Sequence, residues 1–557
     1  MLTRLTHQAL LLACRREDRA FRQQRNALEQ VQRQKLSHLL AQTVRAESGW
    51  EAFRDALPVT RYRDWHERIS AQREGGENLC SSPLVRYQPT SGSSEQLKLI
   101  PYTKQFLGEL DSAIAPWLSS LYRQHPGLHG GAHYWSVSWL PQSQQEAMRG
   151  NLNDDSELLG IVKRVLAAQS QAVPAGVAMA HRADDAMFAT LCFLVARADL
   201  RMLSVWSPTF ALQQLQALRR WGSEIALVLS DGDWGLRRGS LTGLRAPRAP
   251  QRARVLEQAL IGNDSQMTQT LWPALALVSA WDTADATLWA DELREKFPQA
   301  GFEGKGLWAT EGVVTIPYEG MYPLAYRSHV YEFEDLASER MLAPWELREG
   351  DEVSPVISGG NGLLRYRLDD RLQVTGFWGG VPCFRFMGRR FGVDLVGEKM
   401  APETARQVMA AVGERFGLAP VTLLAVDAQG RGRPRYVALF TPLPGAAVEA
   451  SLHVEAGAAV DALLKQHFHY ELARDLRQLP AATALVVSEG WHCFQRIAVA
   501  AGMIEGNIKP EPVKRVTRSA MTAVLPDLMR HVQEMEARAE DAEAAAPISA
   551  APVQVAS

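Results

Sequence analysis

Five short stretches of the sequence group side chains that can hold an anion, carry a metal or move charge. In Pro89-Thr90-Ser91-Gly92-Ser93-Ser94-Glu95-Gln96-Leu97-Lys98, hydroxyls surround a glycine and a lysine follows. Backbone N–H groups of a glycine turn can encircle phosphate oxygens together with the hydroxyls of Thr90, Ser91, Ser93 and Ser94, and Lys98 adds positive charge. The spacing is not that of a Walker A loop, and a Ser/Thr-rich surface turn is the competing reading. In Trp308-Ala309-Thr310-Glu311-Gly312 an apolar approach ends in a hydroxyl, a carboxylate and a glycine. A strand ending there would present Glu311 to a magnesium ion shared with phosphates, because Mg²⁺ takes one or two carboxylates and keeps several waters. A helix cap or turn would use the same residues.

The third stretch is an alternation. From Leu363 to Thr375, Leu364, Tyr366, Leu368, Leu372 and Val374 share one parity, which predicts a strand with a turn in its middle. Asp370 falls on the apolar parity, where an unpaired carboxylate is expensive, so it needs an arginine, a local turn or a ligand hydroxyl. In Gly388-Arg389-Arg390, Arg389 offers a planar set of donors to a ribose or phosphate, or a salt bridge to Asp370. The last stretch, Gly506 to Pro512, is a loop stiffened by two prolines from which Lys509 projects, either as an ordinary surface lysine or as a cation acting on a phosphate. The 13 histidines contain no HExxH pair, and no resident metal ligand set is suggested.

These stretches need a scaffold of mixed type. Thr3 to Val44 lacks Pro and Gly and spaces its leucines and valines as a helical segment. Helices are also predicted over Lys104–Ala115, stopped by Pro116, over Glu157–Ala168 and over Pro208–Trp221, with buried strands at Leu275–Ala280 and Leu307–Thr310. The fold class is α/β. After Met400 the pattern restarts as helix (Pro402–Phe416), strand (Val421–Val426), a Gly/Arg turn and strand (Tyr436–Phe440), so a smaller second domain is expected from residue 391. Val460, Leu464, Phe468, Leu472 and Leu476 stand at i+4 steps and read as one core-facing helical stripe. Expected domains are therefore 1–390, 391–536 and a disordered Ala-rich tail, 537–557.

Composition removes several alternatives. Of the 557 residues, 46% are hydrophobic and 22% charged, enough apolar surface to exclude wholesale disorder. Sixty Lys and Arg against 62 Asp and Glu leave a net charge of −2, which argues against a dedicated nucleic-acid binder. No run approaches the ~20 apolar residues that span a bilayer. The apolar N-terminal stretch lacks a small-residue cleavage site, so the expected location is cytoplasmic. The five cysteines are too scattered for a disulfide framework or thiolate zinc site and read as packed thiols.

The order of these motifs resembles the acyl-acid amido synthetases of the plant auxin-conjugating type, a branch of the adenylate-forming ligases, over nearly the whole chain. Thr90–Thr103 is similar to the family's TSG[TS][TS]…KxIP segment, Trp308–Gly312 to its SEG or TEG motif, and Val330–Leu336 to the FEF strand that follows. Gly362–Arg390 is similar to its GLYRYRLGDxxxVxGFxxxxPxFxFxxR block, the most specific match. The resemblance implies a large N-terminal adenylate-forming domain and a smaller mobile α+β C-terminal domain. It also implies ATP and Mg²⁺ as cofactors, and a carboxylic acid and an amine or amino acid as substrates. By it, Thr90, Ser91, Gly92, Ser93, Ser94 and Lys98 hold ATP phosphates, and Thr310 and Glu311 contact AMP and Mg²⁺. Asp370 binds ribose, Arg389 sits at a hinge, and Lys509 is the mobile lysine that enters during adenylation.

Three positions depart from the family pattern. Glu95-Gln96 replaces a glycine after the Ser/Thr pair, Asp369 replaces the glycine before the ribose aspartate, and the KxPR pattern reads Lys509-Pro510-Glu511-Pro512. The ribose ligand is therefore Asp369 or Asp370, and Lys514 is an alternative to Lys509. The implied activity joins a carboxylic acid to an amine through an acyl-adenylate. Transfer to a thiol, and nucleotide binding without turnover, are the alternatives. Trp135, Trp139, Trp206, Trp281 and Tyr134 lie where the acyl pocket is expected, suiting an aromatic or hydrophobic acid or serving as core.

Overall fold

The computed structural model describes residues 2–41, 49–90, 98–137, 139, 169–390, 392–428, 433–444, 450–526 and 529. The loop residues Ser91, Gly92, Ser93 and Ser94, the helix expected over Glu157–Ala168 and the tail from 537 all lie outside them. By compactness the described chain divides into a large unit, which takes the residues up to Arg390 together with Ile504–Pro510, and a small unit formed by 392–503 and the residues from Glu511 on. The segment that carries Lys509 thus packs within the large unit.

The N-terminal segment folds as two helices, Leu2–Gln23 and Leu28–Leu40. Strands β1 (Leu84–Thr90) and β2 (Lys98–Thr103) form an antiparallel pair in which Thr90 lies opposite Lys98. Thr103 then caps the helix Lys104–Gln124, its hydroxyl accepting from the Phe106 N–H. Pro116 does not stop this helix, contrary to the sequence expectation. Every residue from Ala113 to Tyr122 is buried, and that packing outweighs the ~3 kcal/mol penalty of an interior proline.

A parallel sheet follows, ordered β3-β4-β5-β6: Ala132–Trp135, Leu200–Ser204, Leu277–Ser279 and Gly301–Glu303. Ala132, Tyr134, Leu200, Leu203 and Val278 pack with helices including Ala183–Ala196 and Pro208–Asp231 in one buried cluster, while Trp135, Met202 and Leu277 join the other core cluster of the large unit. The second helix runs ten residues past Trp221, to a left-handed Gly232 that ends it. Strands β7 (Trp308–Ala309) and β8 (Gly312–Val313) make a tight hairpin. Beyond it lies an antiparallel sheet with the order β10-β9-β11-β13-β14, β12 pairing with β11. Its strands are β9 Val330–Asp335, β10 Met341–Leu342, β11 Glu352–Ser358, β12 Tyr366–Arg367, β13 Asp370–Trp378 and β14 Val381–Arg389. The alternating stretch is therefore two strands broken at Leu368-Asp369. Leu364, Tyr366, Leu368, Leu372 and Val374 are all buried, as their parity requires.

The small unit holds β15 (Leu418–Val426), β16 (Arg435–Pro442), β17 (Thr483–Val486) and β18 (Val513–Val516) in the order β17-β16-β15-β18. Its first helix is Pro402–Phe416. The i+4 stripe is a correction: the chain breaks between helices Ala450–Leu464 and Phe468–Asp475. Val460 and Leu464 are fully buried, whereas Phe468, Leu472 and Leu476 are 69%, 42% and 59% exposed, so the stripe does not continue into the core. The second helix instead buries Tyr470 and Ala473, Tyr470 donating to Asp461 at 2.7 Å. All five cysteines are free thiols, with Cys14, Cys192 and Cys383 buried and Cys80 and Cys493 part-exposed.

Burial under the first helix creates a histidine pair. His7 stacks on His133 at 4.4 Å and both lie against Tyr122. Burial, with the charge of His129 adding, lowers His7 from 6.5 to about 4, and burial with the charge of His7 lowers His133 to about 3. Between pH 6.5 and 4 the unfolded chain binds protons at these sites that the folded chain refuses. Their contribution to stability is therefore complete above pH 6.5 and declines as pH falls toward 4, by about 1.4 kcal/mol per pH unit for each histidine. Thermal midpoints measured from pH 7.5 to 4.5 should fall less steeply in His7→Gln than in the wild type; parallel curves would contradict the assignment.

Candidate active site

The β7–β8 hairpin leaves Thr310 and Glu311 as its two turn residues. Tyr102 O–H donates to the Thr310 carbonyl at 3.0 Å and Tyr366 O–H donates to Glu311 Oε1 at 3.1 Å, fixing the turn from two sides. A third support lies behind it. Val313 N–H donates to His329 Nε2 at 3.3 Å, so the imidazole proton is on Nδ1, which donates to Glu109 at 3.0 Å. Glu109 also accepts from Gly360 N–H at 2.9 Å. Gly312 is required by space, since a Cβ there would meet His329 Nε2 at 2.8 Å and Ile357 Cδ1 at 2.9 Å.

Lys98 reaches the same locality. Its Nζ lies 5.8 Å from the Tyr62 ring centroid, and the Tyr62 hydroxyl accepts from Leu99 N–H at 2.8 Å. Burial raises the Tyr62 phenol, with the Glu311 charge adding to the rise. Burial raises Tyr366 further, with the charges of Glu311 and Asp369 adding. Tyr366 thus stays a protonated donor to Glu311 throughout the accessible pH range. Asp369 faces Arg61 at 3.5 Å in a half-exposed pair worth little to stability. Asp370 opens β13 directly opposite Arg389, the last residue of β14, and the Arg390 N–H donates to the Asp369 carbonyl.

Buried ion pairs hold Tyr366 in place. Arg365 Nε and Nη2 grip Glu332 at 2.8 and 3.0 Å, while Arg367 and Arg390 both meet Glu334 at 2.7 and 2.6 Å. Arg365 takes a left-handed φ of +48°, and its guanidinium also donates to the carbonyls of Arg54 and Leu57. The arginines on either side of Tyr366 thereby attach its loop to β9.

The structure brings Lys98, Thr310 and Glu311 together through Tyr62 and Tyr366, and it pairs Asp370 with Arg389. Thr90 is placed by its backbone opposite Lys98. Lys509 Nζ stands 4.7 Å from the Trp281 ring centroid. Trp281, Trp206 and Trp308 follow at centroid separations of 5.8 Å each, so this aromatic row leads from Lys509 to the hairpin of Glu311. Glu505, four residues before Lys509, is pushed up to about 7 by burial, the charge of Asp184 adding and the Gln213 amide opposing. Sequence reasoning missed Tyr62, Tyr102, Glu109 and His329, which carry no motif signature. Tyr366 was visible as an apolar-parity residue and within the Gly362–Arg390 block, with no role assigned to it, although its two flanking arginines were a signal.

The architecture is that of solved "GH3.15 acyl acid amido synthetase" structures, with TM-scores of 0.68 and 0.69 at 17% and 18% identity, covering 91% and 92% of this chain and 95% of each of those. The second of these contains 2,4-DB. Residues 18–302 match the GH3 family N-terminal domain and residues 322–389 the GH3 family central domain, and the chain belongs to the GH3 family. "Indole-3-acetic acid-amido synthetase GH3.15" of Arabidopsis thaliana is 23% identical over 61% of this chain and 62% of its own length. "Probable indole-3-acetic acid-amido synthetase GH3.4" of Oryza sativa subsp. japonica is 24% identical over 83% of this chain and 82% of its own.

Removing the Tyr366 donor tests the support of Glu311. Tyr366→Phe should lower nucleotide-dependent turnover by about 10-fold or more, in line with loss of one hydrogen bond to a charged group, while the thermal midpoint changes little. Steady-state kinetics with calorimetry checks both, and unchanged kinetics would remove Tyr366 from the site.

Proposed function

We propose that the protein is an ATP-dependent acyl-acid amido synthetase. The carrying observation is that the Thr310–Glu311 turn meets Tyr366 while Lys98 lies over Tyr62, whose phenol feels the Glu311 charge, next to Asp369 and the Asp370–Arg389 cross-strand pair. Family membership and the names of its relatives support the same reading. In the first half-reaction a carboxylate oxygen attacks the α-phosphorus of ATP, the bond to pyrophosphate breaks, and an acyl-adenylate forms. In the second, an amine attacks the acyl carbon, the bond to AMP breaks, and the amine loses a proton as the amide forms. The adenylate is needed because an oxide is a poor leaving group and AMP a good one.

Thr90, Ser91, Gly92, Ser93, Ser94 and Lys98 are assigned to ATP phosphates, Thr310 to AMP, Asp370 to ribose, and Arg389 to the nucleotide side of the Asp370 pair. Lys509 is assigned to neutralise charge at the α-phosphate during adenylation. No group of three or more His, Cys, Asp or Glu among the described residues is arranged to hold a metal. The single carboxylate of Glu311 nevertheless fits Mg²⁺ arriving with ATP, an ion held mainly by phosphates and water. Bound there, it would supply Lewis-acid stabilisation of phosphate charge. No helix of the described residues is long and apolar enough to cross a membrane, and the substrates are read as small molecules met in the cytoplasm.

The direct test is product analysis with Mg-ATP and pooled carboxylic acids, with and without pooled amino acids. Acid-dependent pyrophosphate and AMP, accelerated by an amino acid and yielding an amide, is the expected result. Acceleration by coenzyme A instead would move the acceptor to a thiol, and ATP binding without AMP across broad pools would overturn the reading. In a companion experiment, Lys509→Ala should slow adenylation by about 10²-fold or more, the scale of a lost charge-stabilising group, yet leave amide formation from supplied acyl-adenylate within about threefold. Equal losses in both halves would refute the role given to Lys509.

A further inference from the structure

The helix Tyr62–Arg73, the residues from Glu77 to Ser81 and the turn at Gly362 enclose a cavity of about 640 Å³, a size that takes a small organic molecule. Its base is apolar, for Leu57, Trp65, Leu79 and Leu364 are only 7% or 8% exposed. Its rim is charged, with Asp64, Arg68 and Glu77 all exposed. Asp64 accepts the Arg61 N–H at 2.7 Å. Arg68 and Glu77 form no ion pair among the described residues, and the Arg68 guanidinium rests 5.2 Å from the Trp65 ring centroid. Thr60 separates this cavity from the loop of Tyr366. Its N–H donates to the Arg365 carbonyl at 2.8 Å, its hydroxyl to the Leu364 carbonyl at 2.8 Å, and its carbonyl accepts from the Arg367 N–H at 2.9 Å. Trp65 Nε1 donates in turn to the Thr60 hydroxyl at 2.9 Å. Thr60 therefore grips the chain on both sides of Tyr366, and Trp65 and Leu364 connect that grip to the cavity base.

We propose that this cavity is an effector site for an α-amino acid with a large apolar side chain, and that its occupancy strengthens nucleotide binding through Thr60 and Tyr366. Two carboxylates and one guanidinium around an apolar base suit a zwitterion. The ammonium meets Glu77 and Asp64, the carboxylate meets Arg68, and the side chain covers Leu57, Leu79 and Leu364. A lone carboxylate or phosphate would meet two like charges, and a hydrocarbon would leave all three rim charges unanswered. An occupant that packs on Trp65 and Leu364 restrains the Thr60 grip, and so favours the arrangement in which the Tyr366 hydroxyl donates to Glu311. A ligand shifts such an equilibrium only by its differential affinity for the two states, and the coupling is reciprocal. The coupling to nucleotide rests on the amide-ligase reading, whereas the cavity and its charges do not.

The test uses calorimetry on the full chain with L-phenylalanine. L-Alanine, L-phenylalaninamide and N-acetyl-L-phenylalanine serve as probes lacking the apolar side chain, the carboxylate and the ammonium. L-Phenylalanine should bind with a Kd at or below about 1 mM, and each of the other three about 10-fold or more weakly. Arg68→Gln and Glu77→Gln, both changes at exposed positions, should each weaken it by about 5-fold or more, the scale of a lost hydrogen bond to a charged group. Saturating L-phenylalanine should tighten the magnesium complex of α,β-methylene-ATP by about 5-fold or more, and the nucleotide should tighten L-phenylalanine by the same factor. Absence of binding at that strength, or binding unchanged in both variants, which puts the amino acid elsewhere in the protein, would overturn the proposal. So would binding that leaves nucleotide affinity unaltered. Variant-sensitive binding of L-phenylalanine by a protein that takes up no nucleotide would uphold the cavity and overturn the ligase reading. Acid-dependent AMP release by a protein that binds no L-phenylalanine would do the reverse.

Discussion

The buried pairing of Glu332 and Glu334 with Arg365, Arg367 and Arg390 is the interaction on which the site depends. Two carboxylates on one face of β9 would be costly in an apolar interior, and removing one partner of such a pair typically costs about 3–5 kcal/mol. Because each arginine has a fixed fork of donors, the pairs also set direction. Arg365 and Arg367 flank Tyr366, so satisfying the glutamates forces the Tyr366 hydroxyl toward the hairpin and onto Glu311. The same strand neighbourhood aligns Asp370 with Arg389. Electrostatics in the sheet interior thus becomes geometry at its edge.

A second constraint acts from behind the hairpin. His329 is buried, accepts from the Val313 N–H and donates to Glu109, and Glu109 in turn receives the Gly360 N–H. This chain joins the hairpin to the helix that starts at Lys104 and to the turn preceding the Arg365 loop. Three elements distant in sequence are held by one imidazole in one tautomer. The hairpin's own two-residue strands would be marginal without it.

Much of the scaffold was legible because it is written in local periodicity. The helix from Pro402 to Phe416 and the buried face of Leu364, Tyr366, Leu368, Leu372 and Val374 follow from 3.6- and 2-residue repeats. Other readings failed where packing competed with local rules. Pro116 breaks helices in isolation, but the buried run from Ala113 to Tyr122 holds this one together. Phe468, Leu472 and Leu476 have the spacing of a core stripe, yet the break after Leu464 turns the next helix so that Tyr470 and Ala473 face inward. Spacing specifies a face and not which neighbour it meets.

The sequence by itself determined the α/β class, the charge balance that disfavours phosphate-backbone binding, and the motif order that names the family. It also required a partner for Asp370, because a carboxylate on an apolar parity carries a desolvation cost wherever the strand lies. Only the tertiary structure decided what surrounds each motif residue. Arg389 is nineteen positions from Asp370 and meets it only through the register of two strands. Lys509 reaches Trp281, and Lys305 crosses to Ser204, only through folding. Those contacts join residues separated by tens to hundreds of positions, and no local pattern of side-chain types carries information about distances of that kind.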